Sequence, residues 1–333
     1  MCNPVSVESS EGLKRTALPA IRAGTIEFTG TGATVEIPLN TTVTFGPGVT
    51  VRGRTGTISG GGTLINQGKF SADTAGDHLQ IQPAIWTHNG MAEVLNGAEL
   101  TLGGAWNGTG PVAVQNGTLR LAGQFGPLTT PITKTADGVV RITGVGNLQN
   151  STLTLNAATG SWIIEGGTLR NGTLNLTEGA TLRPTRNGSS LLQQMTVNGD
   201  IVMTPGPVSS GPETYLTVRG GLTLNGTLAM GSYSVLLFDE TQTLSAGTIE
   251  FTAALATSGA TVDIGLNSTV TFGPGMRVRG SIGTLSGFGT LINQGKISAD
   301  VAGGTLRITV TTFTNEGTLE AINGGTLVAP GFP

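Results

Sequence analysis

Residues 32–76 read GATVEIPLNTTVTFGPGVTVRGRTGTISGGGTLINQGKFSADTAG, and residues 259–303 read GATVDIGLNSTVTFGPGMRVRGSIGTLSGFGTLINQGKISADVAG, with 34 of the 45 positions identical. The match extends on both sides, so that residues 23–104 recur as residues 246–331, with four extra residues near the start of the second copy. A repeat of this length favours an array of stacked units, because one closed barrel has no room for a second copy of so large a segment.

A shorter rhythm runs through the chain, in which Asn-Gly, Asp-Gly or Gly-Gly turns precede strands of four to six residues. Successive turns begin at Asn96, Asn116 and Asp137, which are 20 and 21 residues apart. Between two such turns, Leu119 and Leu121 lie on one face and the polar residues beside them on the other, which is the period of a half-buried strand. Asn and Gly tolerate left-handed backbone angles, so these turns indicate tight corners between short strands.

These features predict an all-β chain folded as a β-solenoid, in its natural form a right-handed parallel β-helix, whose coils bury their inward side chains by stacking on one another. Coils of roughly twenty-odd residues would give about fifteen coils. An antiparallel β-sandwich or barrel array stays open as the alternative, because hairpins use the same turns. We expect residues 1–22 to be an N-terminal extension or cap, residues 23–333 to form one continuous β-helix, and the Pro/Gly/Ser-rich residues 204–212 to leave the stack.

The segment GTLINQGKISADVAGGTLRITVTTFTNEGTLEAINGGTLV (residues 289–328) has Asn-x-Gly and Gly-Gly-Thr-Leu steps. It resembles the repeats of large bacterial surface and secreted β-helix proteins, namely autotransporter passengers and filamentous-haemagglutinin-like adhesins. The resemblance covers most of residues 23–328 in style and rests on composition. It implies an extracellular or cell-surface shaft used for adhesion or matrix building. The sequence departs from that family in showing neither an export signal nor a secretion domain, so we interpret it as a piece of a longer protein.

Composition and charge narrow the function classes. Charged residues make up 11% of the chain and the net charge is −3, without the basic stripe that nucleic acid or an anionic membrane would require. Nowhere are there eighteen consecutive apolar residues, so no membrane span is predicted. Cys2 is the only cysteine, which predicts neither an intramolecular disulfide nor a thiolate metal site. No motif for a cofactor is present.

Histidine-based catalysis has two candidates, His78 and His88, with Asp73 and Asp77 nearby as orienting groups. The second copy replaces both histidines. We therefore interpret them as solvent-facing residues of a coil.

Paired carboxylates are the stronger catalytic candidates, because β-helical glycosidases and lyases bring Asp and Glu together on adjacent coils. The carboxylates retained in both copies are Glu27, Glu36, Asp73 and Glu93, which recur as Glu250, Asp263, Asp300 and Glu320. An active site is normally built once, so this recurrence favours a structural role at corners and surfaces. No catalytic residue and no metal site is predicted.

Four residues are weak candidates for ligand binding. Arg52 and Arg279, on matching Val-Arg-Gly steps, have the charge to bind an anionic glycan, although a solvated strand residue is the simpler interpretation. Trp86 and Trp106, together with Trp162, would form a sugar-stacking platform if they shared an exposed face. Phe replaces Trp86 in the second copy, which favours apolar filling of the core.

Two further patterns concern polar rows along the stack. Asn66 and its counterpart Asn293 are expected to stack their amides on neighbouring asparagines as a stabilising ladder. Thr-x-Thr steps, which an ice-binding solenoid would need in a regular array, occur at residues 42–44, 152–154 and 269–271, with irregular spacing along the sequence.

We therefore expect a non-enzymatic structural and adhesive shaft of a bacterial cell-surface or secreted protein. Its expected partners are glycans or a host or matrix surface, and its coil ends are candidates for self-association. A polysaccharide-binding or polysaccharide-cleaving β-helix of the lyase or tailspike type is the alternative, and an ice-binding solenoid is a minor one.

Overall fold

The computed structural model describes residues 5–7, 20–129, 132–185, 190–203, 214–253 and 259–330. In these ranges the chain is all-β and contains no helix, and its strands stack in parallel as a β-solenoid of about 13 turns. The β-solenoid prediction is confirmed, and the antiparallel alternative is wrong because the described strand pairs are parallel. The handedness and the single continuous β-helix stay predictions.

The strands are mostly short, as the turn spacing predicts. In chain order they are β1 Val5–Val7, β2 Ala20–Phe28, β3 Ala33–Glu36, β4 Thr42–Gly53, β5 Gly56–Asn66, β6 Lys69–Ala72, β7 His78–His88, β8 Met91–Val94, β9 Glu99–Leu102, β10 Ala105–Gly108, β11 Val112–Val114, β12 Thr118–Leu121, β13 Gln124–Phe125, β14 Ile132–Lys134, β15 Val139–Ile142, β16 Val145–Asn147, β17 Thr152–Leu155, β18 Trp162–Ile164, β19 Thr168–Leu176, β20 Leu182–Pro184, β21 Ser190–Asn198, β22 Ile201–Met203, β23 Thr214–Asn225, β24 Thr227–Met230, β25 Ser234–Phe238, β26 Gln242–Phe251, β27 Ala260–Ile264, β28 Thr269–Gly280, β29 Ile282–Gly287, β30 Thr290–Asn293, β31 Lys296–Ala299, β32 Thr305–Ile308, β33 Thr312–Asn315, β34 Thr318–Ala321 and β35 Thr326–Val328.

The chain divides into two compact units, which we call the first unit (residues 1–148 and 157–162) and the second unit (residues 149–156 and 163–333). In the first unit, Leu100, Leu119 and Val140 follow one another in register on β9, β12 and β15, and all three are fully buried. Each such side chain contributes roughly 1.5–3 kcal/mol by leaving water. Columns of stacked aliphatic side chains therefore form the interior of this unit.

The second unit has the same construction. Leu153, Leu174, Val197 and Leu224 stack in register on β17, β19, β21 and β23, and all are buried. The residues on either side of each point outward, because successive side chains of a strand alternate between its two faces. A buried aliphatic column thus has polar columns in register on the outer surface of the same strands.

The varying length of the corners sets the number of turns in the solenoid. Register partners are 19 residues apart from Glu99 to Thr118 but 28 apart from Gln242 to Val270. Coils are therefore longer on average than the turn spacing suggested, and about 13 turns form instead of about fifteen. Many corners use left-handed Asn, as the sequence predicted: Asn96 has φ 57° and is followed by Gly97 with φ 78°.

The two copies of the duplication form strands at equivalent positions, although β5 and β7 of the first copy are each divided in two in the second, as β29 with β30 and β32 with β33. Thr42–Gly53 and Thr269–Gly280 are both twelve-residue strands, and Lys69–Ala72 corresponds to Lys296–Ala299. Residues 204–212, expected to leave the stack, lie outside the described residues. So does most of the expected extension at residues 1–22, of which Val5–Val7 pairs in parallel with β2.

Candidate functional site

Arg52 and two of the candidate carboxylates of the first copy meet on one outer face of the first unit. Arg52, Ser71 and Glu93 are register partners on the three successive strands β4, β6 and β8. Lys69 and Asp73 lie two residues to either side of Ser71, so they point to the same face. We call these five residues the first polar ladder.

Short contacts connect the first polar ladder. Arg52 Nη2 lies 3.0 Å from Asp73 Oδ2, and Lys69 Nζ lies 2.7 Å from Glu93 Oε1. Ser71 Oγ donates to Glu93 Oε1 at 2.6 Å and lies 3.2 Å from Asp73 Oδ2. Each carboxylate therefore has a cation against it and a hydroxyl beside it.

The second polar ladder repeats this arrangement in the second unit and adds one carboxylate. Arg279 binds Asp300 at 2.8 Å and Glu250 at 2.9 Å. Lys296 Nζ lies 2.8 Å from Glu320 Oε1, and Ser298 Oγ donates to the same oxygen at 2.6 Å. Its members are Glu250, Arg279, Lys296, Ser298, Asp300 and Glu320. The arginines and carboxylates of both ladders were identified from the sequence. Their lysines and serines, which recur in the two copies as Lys-x-Ser-Ala-Asp, were missed.

In both polar ladders the negative charge of each carboxylate is balanced by a neighbouring arginine or lysine. A general acid for glycoside cleavage needs a carboxyl whose pKa is raised. Here hydrogen bonds from Lys296 and then from Ser298 lower the pKa of Glu320, which keeps it ionised. Ser71 and Ser298 are only 3% and 4% exposed, so neither hydroxyl is open to a substrate. This geometry suits cross-linking between coils.

The arginines proposed for an anionic glycan are the cations of these ladders. The side chains of Arg52 and Arg279 are about half exposed, at 47% and 45%. An anionic ligand would have to compete with carboxylates already 2.8–3.0 Å away. Of the other recurring carboxylates, Glu27 is the register partner of Arg52, whereas Glu36 is exposed on β3.

The tryptophans lie in the interior of the first unit. Trp86 and Trp106 stack with ring centroids 5.5 Å apart, Trp106 stacks on Phe125 at 5.7 Å, and Phe70 meets Trp86 edge-on. The Trp86 indole donates to the carbonyl of Gly103 at 2.7 Å. Trp86 and Trp162 are 1% exposed and Trp106 is 6% exposed, so these rings fill the core and offer no face to a sugar.

The interpretation of both histidines as solvent-facing is wrong for His88, which is 2% exposed and stacks on Phe70. Its Nδ1 lies 3.2 Å from the amide nitrogen of Asn66, so Nδ1 accepts and Nε2 carries the proton. Among the described residues, no group meets the geometry of a full hydrogen bond to Nε2. Burial lowers the pKa of His88 to about 4, against a smaller opposing effect of the Pro111 backbone. Of the aromatic neighbours of His88, Phe70 lies on another strand, whereas Trp86 lies two residues away on β7, and the face that Trp86 and His88 share was the one signal of this burial in the sequence.

His78 is half-buried on the outer face. Its Nε2 lies 2.7 Å from Thr101 Oγ1 and 3.3 Å from Glu99 Oε1. Desolvation lowers the pKa of His78, although Glu99 opposes the shift. Arg120 also binds Glu99, at 2.8 Å, so this group is another compensated cluster.

The expected asparagine ladder forms in the second copy, where Asn293 Nδ2 donates to Asn315 Oδ1 at 2.7 Å. In the first copy Asn66 meets His88 instead. A ladder that the sequence analysis missed lies on the outer face of the second unit, where Asn225 donates to Asn198 at 2.8 Å and Asn198 donates to Asn175 at 2.6 Å.

Beside this ladder runs a row of hydroxyl groups that we call the threonine column. It consists of one outward residue on each of eight coils of the second unit, namely Thr152, Thr173, Thr196, Thr223, Thr243, Thr271, Ile292 and Thr314. The first four residues are in register with one another, and so are the last four. A hydrogen bond from Leu222 N to Gln242 Oε1 (3.0 Å) connects β23, the last strand of the first group, with β26, the first strand of the second. Two of the three Thr-x-Thr steps contribute to the column, residues 152–154 through Thr152 and residues 269–271 through Thr271, whereas residues 42–44 lie on β4 of the first unit, outside it.

Among the described residues, no three His, Cys, Asp or Glu side chains come together in a way that would hold a metal ion. In the same ranges, no helix has the length and apolar character needed to cross a membrane. Comparison with models of protein families, with curated proteins and with solved structures finds no match to this chain. The fold is compatible with structural and with polysaccharide-related roles of β-helices.

Proposed function

We propose that the chain is a non-enzymatic structural and adhesive shaft of a bacterial cell-surface or secreted protein, of the kind found in autotransporter passengers and filamentous-haemagglutinin-like adhesins. The observation that carries the proposal is the duplicated polar ladder. Carboxylates that recur in both copies are neutralised by Arg52 or Lys69 and by Arg279 or Lys296, and they bridge neighbouring coils. Side chains used in this way strengthen a scaffold and are poorly suited to acid-base catalysis.

The interior supports the same role. Stacked aliphatic columns and parallel backbone hydrogen bonds make each coil depend on its neighbours, which resists local opening. An extracellular or cell-surface location and contact with glycans or a host or matrix surface belong to this proposal, as does association through coil ends.

The proposal is tested by incubating the protein with a panel of plant, algal and bacterial polysaccharides, and measuring both retention on the immobilised polymer and new reducing or unsaturated ends in solution. A shaft is expected to give retention on some surface without product release. A Glu93→Gln, Glu320→Gln variant serves as the matched control. Product release that this variant abolishes would replace the shaft with a polysaccharide-cleaving enzyme built on the ladders.

A further inference from the structure

The threonine column has a regular spacing set by the fold. Neighbouring parallel strands are about 4.8 Å apart, so hydroxyl groups in register repeat at that distance. Threonine is β-branched and its χ1 angle is restricted, which fixes where each hydroxyl and methyl group points. The column is therefore an ordered row of donors and acceptors that loses little further entropy when it binds.

Uncharged side chains flank the column at about 6.6 Å, the distance between alternate residues of a strand. Next to the first four coils they lie two residues after the column, at Thr154, Asn175, Asn198 and Asn225, whereas next to the last four they lie two residues before it, on the opposite side, at Thr241, Thr269, Thr290 and Thr312. Thr269 N donates to Thr241 Oγ1 at 3.0 Å, which aligns the fifth and sixth coils. None of these side chains is charged.

The spacing of the column fits a tetrahedral water lattice. Two hydrogen bonds of about 2.75 Å that meet at a water molecule with the tetrahedral angle span about 4.5 Å. Hydroxyls repeating at about 4.8 Å can therefore take the places of alternate oxygens in such a lattice over runs of about four coils, within which a mismatch of about 0.3 Å for each step adds up to about 1 Å. The threonine methyl groups fill the spaces between them.

Other occupants fit this face less well. Seven coil steps of the column with its flanking side chains cover about 34 Å by about 10 Å, or roughly 340 Å², less than half of the about 800 Å² per partner in a stable protein interface. A sugar polymer would gain from aromatic faces or a concave site, and the column and its flanks consist of Thr, Asn and Ile side chains that project outward from strands.

From these observations we propose that the threonine column and its flanking side chains bind the surface of ice. This goes beyond the structural role proposed above and stands independently of adhesion. Solvent-facing hydroxyl and methyl groups in register hold a layer of water in the arrangement of the crystal, and the bound protein hinders growth of the ice beneath it.

The experiment measures the gap between the melting and freezing temperatures of a seeded ice crystal in the presence of the full chain, together with the amount of protein taken up by slowly growing ice. The test variant is Thr196→Lys, Thr223→Lys, which puts two charges on stacked positions of the column. The matched control is Thr261→Lys, Thr284→Lys, two stacked threonines on another sheet of the same unit. Circular dichroism checks that all three proteins are folded.

We expect a measurable gap and uptake into ice for the wild type and for the control, and loss of both for the column variant. The proposal is overturned if the wild type gives no gap and stays in the liquid like an inert protein. Equal losses in both variants would also overturn it, as would retention on a neutral polysaccharide that depends on the column while ice growth is unaffected.

Discussion

The two copies of the duplication stack their strands in the same order yet differ in one group of packed residues. In the first copy Trp86, His88 and Phe70 form an aromatic cluster, whereas the second copy has Phe313, Asn315 and Ile297 at these positions. The outward polar ladders are nearly unchanged between the copies. The same polar ladders therefore accompany two differently packed positions, fully buried in the first copy and half-buried or exposed at Phe313 and Asn315 in the second.

The largest expected difference between the copies is the free energy of unfolding lost when the ring of Trp86, or that of its counterpart Phe313, is removed. Trp86 is fully buried and packed on Trp106, so Trp86→Ala is expected to cost about 3–5 kcal/mol of unfolding free energy. Phe313 is only half-buried, and Phe313→Ala is expected to cost about 1–2 kcal/mol because less apolar area leaves water.

Urea unfolding measures both losses. All three tryptophans belong to the first unit, so fluorescence of Trp106 and Trp162 reports on Trp86→Ala, and far-ultraviolet circular dichroism reports on Phe313→Ala. Losses of equal size would mean that the two copies are packed equally well, against the burial seen here.

The second prediction concerns His88, which occupies the position of Asn315 in the second copy. The pKa of His88 is about 4 in the folded protein and about 6.5 when unfolded, so the unfolded chain binds more protons between these values. Keeping His88 neutral therefore contributes to the free energy of unfolding fully above pH 6.5. This contribution, about 3 kcal/mol, is lost as the pH falls to 4. His88→Asn, which copies the second unit, should remove this part of the pH dependence.

Tryptophan fluorescence during urea unfolding at pH 7 and at pH 4.5 tests this. A smaller slope against pH should remain in the variant, because the pKa of His78 is also lowered. An unchanged pH dependence in His88→Asn would show that His88 is not the group responsible. Asn315→Ala in the second copy should leave the fluorescence transition where it is, because that side chain is exposed and does not titrate.

The sequence was sufficient for the class of fold, because short alternating strands and Asn-Gly corners are local signals that all point to one stacked architecture. The duplication also marked the arginines and carboxylates of the polar ladders, but not their lysines and serines, which were recognised only when the register placed them beside those carboxylates. The sequence was not sufficient for the burial of His88, which depends on a cluster assembled from β6 and β7, nor for the threonine column. The residues of the column are separated by 21 to 28 positions where the register is known, and only the coil lengths reveal that they align.

The smallest expected effect concerns the arginines that differ in their number of partners. Arg52 contacts Asp73, whereas Arg279 contacts Asp300 and Glu250. Exposed ion pairs contribute about 0–1 kcal/mol, so both substitutions to Met should be mild, with Arg279→Met the larger by a few tenths of a kcal/mol. Hydrogen exchange of β4 and β28 is sensitive enough to resolve this difference.

High salt tests whether the difference in stability between Arg52→Met and Arg279→Met is electrostatic or arises from packing. At 1 M salt the Debye length falls to about 3 Å, so the two arginine variants should approach the wild type and each other. Arg307→Met, on β32 with the uncharged register partners Thr284 and Val328, is the matched control and should show little response. If the gap between Arg52→Met and Arg279→Met survives high salt, the arginine stems stabilise the coils by covering neighbouring side chains, and the extra carboxylate of the second copy adds nothing measurable.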